Sequence, residues 1–294
     1  MASQEIMDRT GICLLKKGYT VKSLAKSCFD LVARKGSRIL LIKILMDANS
    51  ISEGHSTQMQ NISRYIGASP LIIAEKAGSE LQDNVVYSRL GVCTLNFETF
   101  KSCLEDRMPF IASTNAGLTA KIFGEKIRQR RDELGMSLAQ LSKKIGVSRR
   151  MVVRYENDEA VSQITMAKAE KVYDIFGHEV FDKIDIFRGN LFPESEKHRE
   201  TPITKKYSEL GFDASEARKV PFNVIARKED ELIITGVGDK INPDASLLSR
   251  LLDADNLVIF DRKKPKERDI PSMTRQEFME FEEAGELIRF LREF

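Results

Sequence analysis

Along residues 29–45 the chain reads FDLVARKGSRILLIKIL, with apolar and polar positions alternating on both sides of Lys35-Gly36-Ser37. A period of two around a glycine-bearing turn predicts a β-hairpin. Next, "NISRYIG" (61–67) predicts a helix crossing to the apolar strand "PLIIAEK" (70–76). The order helix, strand, turn, strand, helix, strand, strand, helix makes a mixed sheet flanked by helices, an α/β unit. The pattern returns near the other end of the chain. Residues 18–45 align with 211–238 without a gap: Gly18 meets Gly211, Lys26 meets Lys219, Phe29 meets Phe222, and "ARK" at 33–35 meets "ARK" at 226–228. Apolar Ile39, Leu40 and Leu41 meet Leu232, Ile233 and Ile234. Beyond the hairpin, "SRYIGASPLII" (63–73) parallels "SRLLDADNLVI" (249–259), and "TLNFETF" (94–100) parallels "SMTRQEF" (272–278) more weakly. The expectation is an internal duplication, two α/β units flanking whatever lies between.

Between them the period changes to that of helices. In "KIFGEKIRQRRDELG" (121–135), Ile122, Phe123, Ile127 and Leu134 recur at helical spacing, and Gly135 is a stop signal. Ser137 and Gln140 have the spacing of a capping box, ahead of a helix with Leu138, Leu141 and Ile145 on its apolar face. Gly146 suits a tight turn that needs positive φ, and Ser148 is a good N-cap. The next helix puts Val152 and Tyr155 on a buried side and Arg149, Arg150, Met151, Val153 and Arg154 on the other. A polar loop leads to a further helix, "TMAKAEKVYDIFG" (165–177).

Charge sharpens this picture. The 294-residue chain has a formal net charge of only +2, so any nucleic-acid role needs a local basic patch. Residues 121–156 hold ten Lys/Arg against four Asp/Glu, a local +6. Helix, four-residue turn, helix is the geometry of a helix-turn-helix, whose second helix presents its first residues to base edges in the major groove. The expected DNA contacts are Ser148, Arg149, Arg150, Met151, Val153 and Arg154, with Ser137, Lys143 and Lys144 beside them. Arginine suits the task because its planar fork matches guanine O6/N7 or phosphate oxygens.

Residues 121–178 resemble the Cro/C1-type (XRE) helix-turn-helix family through "IRQRRDELG", "LAQLSKKIGVS" and "VVRYEN". The resemblance implies double-stranded operator DNA as partner and a homodimer. It also implies a structural pair between an arginine late in the first helix and a glutamate at the end of the recognition helix, here Arg131 and Glu156. Two positions depart from the family: Leu138 stands where a phosphate-contacting glutamine is common, and Asp158 where a glycine often ends the recognition helix.

The first hairpin resembles the PD-(D/E)xK nuclease fold, in its archaeal Holliday-junction-resolvase branch. There, two carboxylates hold a divalent metal and a lysine positions the attacking water. Asp30 matches the first acid and "ILLI" (39–42) the apolar run, which puts Lys43 at the glutamate position and Leu45 at the lysine position. Shifted by two, Lys43 becomes the lysine and Leu41 takes the glutamate position. Either register loses a carboxylate, although Asp47 lies near enough in sequence to supply one. The second copy has Asn223, Gly236 and Gly238 at these places. The expectation is a nuclease-like fold without nuclease chemistry, with no catalytic residue, metal or cofactor, and with flanks that dimerise copies, sense a ligand or add DNA contacts.

Other motifs add little. "GVGDK" (236–240) lacks the spacing of a P-loop, no nucleophile elbow occurs, and "DRKKPKERD" (261–269) reads as a solvated loop. Cys13, Cys28, Cys93 and Cys103 form no C-x-x-C pair, and there are three histidines, which argues against structural zinc and for reduced thiols. Neither a membrane span nor a signal peptide is legible, so a cytoplasmic location is expected. The chain as a whole resembles an archaeal family of HTH-type transcriptional regulators. The predicted fold is α/β plus all-α: residues 1–118 an α/β domain, 119–180 a five-helix Cro/C1-type domain, 181–206 a linker and 207–294 the second α/β domain.

Overall fold

The computed structural model describes residues 2–157, 162–189, 200–239, 242–262 and 270–293. The first unit runs α1 (Ala2–Lys16), β1 (Thr20–Ser23), β2 (Leu31–Lys35), β3 (Arg38–Asp47), α2 (Glu53–Ile66), β4 (Ser69–Ala77), β5 (Ser79–Glu80), β6 (Val85–Arg89), β7 (Val92–Leu95) and α3 (Phe97–Cys103). The strands β8 (Ile111–Thr114) and β9 (Gly117–Ile122) lead into the central segment. There follow α4 (Gly124–Glu133), α5 (Leu138–Ile145), α6 (Arg149–Asn157), β10 (Ser162–Thr165) and α7 (Met166–Phe176). The second unit runs α8 (Pro202–Glu209), β11 (Asp213–Glu216), β12 (Val224–Lys228), β13 (Glu231–Val237), α9 (Pro243–Leu252), β14 (Asp255–Phe260), β15 (Ser272–Thr274), α10 (Arg275–Glu280) and α11 (Ala284–Arg292).

The predicted hairpin is present: β2 and β3 pair antiparallel from Lys35↔Arg38 to Leu31↔Ile42, and Gly36 takes φ +59° in the turn. Alternation then splits β3 between two cores. Ile39 and Leu41 face one that contains Met59, Ile62 and Ile66 of α2; Leu40, Ile42 and Ile44 face another that contains Leu14 of α1 and Phe100 of α3. The sheet has the order β1-β2-β3-β4-β7, with β3, β4 and β7 parallel. The second sheet has the order β11-β12-β13-β14-β15 with the same directions: two antiparallel pairs, then two parallel ones. Details follow the sequence alignment. Gly18 and Gly211 have φ +81° and +84°, and Lys26 and Lys219 both have φ +55°.

The two units pack on each other. Ile62, Tyr65 and Ile66 of α2 and Leu248 and Leu252 of α9 share one core with Leu41 of β3, Ile225 of β12 and Ile234 of β13. Two equivalent bonds cross this contact in opposite senses. Arg34 Nη1 donates to the Leu251 carbonyl at 2.9 Å, and Arg227 Nη1 donates to the Tyr65 carbonyl at 2.6 Å. Tyr65 and Leu251 are themselves aligned positions, so the contact has approximate twofold character.

The central segment is tied into the first sheet. β8 pairs parallel with β6 and antiparallel with β9, and β9 pairs antiparallel with β10. The described residues of 119–180 form four α-helices and a short 3-10 turn at His178–Val180, against the five helices expected. Ile122, read as helical, ends β9 instead and is fully buried, while Leu134 caps α4 and is exposed. The polar stretch before α7 carries β10, and β9 runs across the boundary predicted at 118/119.

The predicted linker is partly structured. Ile186 and Phe187 pack in the core beneath α1 and α3, and Pro202–Glu209 is helical behind a Thr201 cap. Residues 190–199 lie outside the described residues, as do Asp158, Lys240 of the "GVGDK" stretch and most of "DRKKPKERD". All four cysteines are free thiols, and burial pushes Cys28 and Cys103 up to about 12.

Candidate nucleic-acid interface

Local signals build the helix-turn-helix. Ser137 Oγ accepts from Gln140 N at 3.2 Å, and Gln140 Oε1 accepts from Ser137 N at 2.8 Å, which completes the predicted capping box at the start of α5. Gly146 ends α5 at φ +78°, a conformation that a Cβ would strain. The turn is Gly146-Val147-Ser148, one residue shorter than expected. Ser148 Oγ then accepts from Met151 N at 3.2 Å and starts α6.

Val152 and Tyr155 are buried with Ile127, Leu141, Ile145, Val172 and Phe176 in a core of their own. Met151 is half-buried at its edge, as is Leu138. That burial gives Leu138 a packing role at the position where the resemblance has a polar phosphate contact.

Two contacts fix the angle between α4 and α6. Gly124 lies so close to α6 that a Cβ on it would stand 2.0 Å from the Tyr155 carbonyl oxygen. Arg131 holds Glu156 with two bonds, Nε to Oε1 at 2.6 Å and Nη2 to Oε2 at 2.9 Å, and its Nη1 donates to the Met136 carbonyl at 3.0 Å. Both side chains are almost fully buried, and the bonds to Glu156 push the guanidinium pKa above its ordinary value.

The remaining cations of the motif face solvent. Arg149, Arg150, Val153 and Arg154 on α6 with Ser148 before it, and Lys143 and Lys144 on α5 with its cap Ser137, are all exposed. Among the described residues, none of Arg149, Arg150, Arg154, Lys143 and Lys144 forms a salt bridge. In contrast, Arg130 and Arg131 of α4 are paired with Glu133, Asp132 and Glu156. Three cations without a salt bridge among the described residues thus lie on α6 and two more on α5, and the N-terminal N–H groups of α6 also favour anions. Sequence reasoning missed one neighbour: Lys171 Nζ lies 3.2 Å from where a Cβ on Gly146 would stand, beside the turn. It projects from α7, and no motif links it to the turn.

The nuclease-like centre has a different chemistry. Lys43 Nζ donates to Asp30 Oδ1 at 2.8 Å and to the Ser27 carbonyl at 3.3 Å, while Asp30 Oδ2 accepts from Ile44 N at 2.7 Å. Leu45 packs against the apolar core, and Asp47 Oδ1 caps a 3-10 turn through Asn49 N at 2.9 Å. A hard divalent cation needs several oxygen donors. Here an ammonium already neutralises the one carboxylate, so these residues do not fit such a metal. Among the described residues no group of three His, Cys, Asp or Glu could hold one. In the second unit Asn223 replaces Asp30, and its Oδ1 accepts from Val237 N at 2.8 Å, the counterpart of the Ile44 bond.

Cap, turn and a solvent-facing arginine helix, carried on an α/β scaffold, define a helix-turn-helix protein. Comparison with known families agrees on both parts: residues 127–175 match a helix-turn-helix model, and residues 3–109 match a PD-(D/E)XK superfamily domain. Three relatives each bear the name "Putative HTH-type transcriptional regulatory protein". The one from Archaeoglobus fulgidus is 30% identical over 95% of this chain and 94% of its own. That from Methanoculleus marisnigri is 31% identical over 90% of each, and that from Methanocaldococcus jannaschii 29% identical over 99% of this chain and 98% of its own. The chain belongs to this archaeal family of HTH-type transcriptional regulatory proteins. No solved structure matches it. Among the described residues no helix is long and apolar enough to cross a membrane.

Proposed function

We propose that this protein is a sequence-specific regulator that lays α6 in the major groove of double-stranded DNA. The observation that carries the reading is the set of exposed cations Arg149, Arg150 and Arg154, without a salt bridge among the described residues, on a helix whose angle is locked by Arg131 and Glu156. Arg149 and Arg150, in the first turn, read base edges together with Met151 and Val153. Ser137, Lys143, Lys144 and Arg154 hold phosphates. One such helix spans a single half-site, so two chains occupy a pseudo-palindromic operator with half-sites about one helical turn apart. The matching faces of the α/β units already cover each other within one chain, so the second copy joins through another surface.

In this reading the α/β units arose by duplication and act as a non-catalytic scaffold in the cytoplasm. The Asp30–Lys43 pair supports that assignment, because in either register Lys43 holds the one carboxylate that matches the nuclease pattern and no second carboxylate stands at the glutamate position. The test is selection of genomic fragments by the purified full-length protein, with magnesium present and the DNA examined for cuts. Enrichment of an intact pseudo-palindrome is the expected result. Cutting that disappears in Asp30→Ala would make the protein an enzyme and overturn the scaffold assignment.

A further inference from the structure

The likeness of the two α/β units supplies an internal control for the surface of α1. Their alignment extends back from Gly18 and Gly211 into the first helix of each. Tyr19 N donates to the Leu14 carbonyl at 3.1 Å, and Phe212 N to the Tyr207 carbonyl at 2.9 Å. Lys35 Nζ likewise donates to the Lys17 carbonyl, and Lys228 Nζ to that of Leu210. Leu14 and Tyr207 are both fully buried, but the outer faces of the two helices differ. Ile12 and Leu15 of α1 are 53% and 58% exposed, more than any other large apolar side chain among the described residues. Their counterparts on α8 are the exposed polar residues Lys205 and Ser208.

A lone exposed leucine is ordinary. Here two large apolar side chains share one helical turn, at positions where the matching helix carries polar ones. Gly11 adjoins them in the helix interior, where glycine is less stable than alanine. It is not at positive φ, and a Cβ on it would meet nothing within 4 Å, so packing within the chain does not call for a glycine. A glycine on a helix surface lets a second helix approach closely. Charge indicates which helix that is. Asp8 lies four residues before Ile12, and Lys16 four residues after it. Both are exposed, and neither forms a salt bridge among the described residues. Asp8 Oδ1 accepts from Gln4 Nε2 at 2.8 Å, which does not neutralise its charge. An apolar centre with opposite charges at equal distances on its two sides is complementary to itself when inverted, as an interface between identical copies requires.

We propose that α1 is the contact between two copies of this chain, packed antiparallel on the partner's α1 about a twofold axis beside Ile12. Ile12 and Leu15 cover each other across the axis, and Gly11 lets the helices close. Asp8 faces the partner's Lys16, and the same pair repeats on the other side. α8 cannot make this contact, because Lys205 and Ser208 replace the apolar pair. The inference rests on the DNA-binding reading for its purpose, since it names the surface through which the second copy joins. A contact centred on one helix pair lies at the small end for specific interfaces, so a micromolar dissociation constant is expected. Two half-sites on one operator then hold the copies together.

The experiment is sedimentation equilibrium of the full-length protein, without DNA, over a series of concentrations. Wild type should pass from monomer to dimer in the micromolar range. Ile12→Lys combined with Leu15→Ser, which copies the residues of α8, should weaken the dimer about tenfold or more. Asp8→Lys sets like charges opposite each other twice and should weaken it similarly. Adding Lys16→Asp to Asp8→Lys restores the pairs with their signs exchanged and should recover most of the loss, a result that poor folding of the first variant cannot imitate. The proposal is overturned if wild type stays monomeric up to about 200 µM, well above the range expected for a contact of this size. It is equally overturned if the Ile12→Lys/Leu15→Ser protein dimerises as wild type does, or if the exchanged pair is no better than Asp8→Lys alone. Because no DNA is present, failure of operator binding leaves this result standing, and a monomer that still binds an operator sinks the interface alone.

Discussion

Arg131 and Glu156 are joined by two parallel N–H···O bonds of 2.6 and 2.9 Å across the gap between α4 and α6. Their separation of 25 residues makes the pair a brace between two helices. Removing Arg131 leaves the Glu156 carboxylate buried and uncompensated, which typically costs about 3–5 kcal/mol, whereas removing Glu156 leaves Arg131 its bond to Asp132 and costs less. Arg131→Ala should destabilise the protein by about that much in urea titrations, and Glu156→Ala by somewhat less. Arg131→Lys should recover little of it, because an ammonium cannot reproduce the fork. A loss below about 1 kcal/mol in both alanine variants would deny the brace its role.

Gly124 tests the same angle by sterics. A methyl group there would sit 2.0 Å from the Tyr155 carbonyl oxygen, so the two helices must separate. Gly124→Ala should lower stability by at least about 1–3 kcal/mol, the usual cost of overpacking, and should weaken DNA binding. Gly285→Ala, with nothing within 4 Å, is the control. It should be neutral or stabilise by about 0.4–1 kcal/mol through the unfolded chain. Thermal or urea unfolding of the two variants side by side is the check.

The crossed bonds of Arg34 and Arg227 predict how the two α/β units unfold. Each guanidinium donates to a carbonyl of the other unit, Arg34 to Leu251 and Arg227 to Tyr65, and Arg34 also pairs with Asp253. Charge-assisted bonds of this kind contribute about 1.5–3 kcal/mol. Either arginine changed to alanine should cost about that, and the double variant should unfold in two resolved steps by calorimetry. A single sharp transition in the double variant would mean that the apolar core alone couples the units.

Alkaline pH reaches the same contact through Tyr65. Its hydroxyl donates to Asp213 Oδ1 at 2.8 Å, and burial, then that bond, push the phenol from 10.0 up to about 12. A phenol raised on folding stabilises the folded state fully below pH 10.0, and that stabilisation is lost as pH rises through about 12. Stability measured across this window should fall less steeply in Tyr65→Phe than in the wild type. Buried Tyr207, whose phenol is also raised by burial, keeps the variant's slope from vanishing.

What the sequence made legible follows the range of the interactions involved. The motif from Ser137 to Ser148 was readable because its cap, turn glycine and apolar face are local signals. The β2–β3 hairpin was readable for the same reason, and the register shared by the two units needed only comparison of the chain with itself. The pairing of β8, β9 and β10 was not. Those strands are four to six residues long, and "KIF" at 121–123 fits a helical period as well as a strand. The packing of α2 against the second unit was equally hidden, because Ile62 and Ile66 look the same whether they bury against their own sheet or also a partner's. α8 lies inside a charged stretch that masks its period, although Thr201, Pro202 and Thr204 form a local cap signal. At the site itself, the exposed arginines were legible. Gly124 was not, since its constraint is a tertiary approach.

The measurement that bears most directly on the central claim compares two duplexes of equal length, the selected operator and a random sequence, binding to wild type, Arg149→Ala and Arg150→Ala at several salt concentrations. If α6 reads bases, at least one variant should lose about 1–3 kcal/mol on the operator while its affinity for random DNA changes far less. Wild-type binding should also fall steeply as salt rises, because bound phosphates release counterions. Equal losses on both duplexes would reduce these arginines to phosphate contacts, and binding that ignores both substitutions would contradict the placement of α6 in the groove.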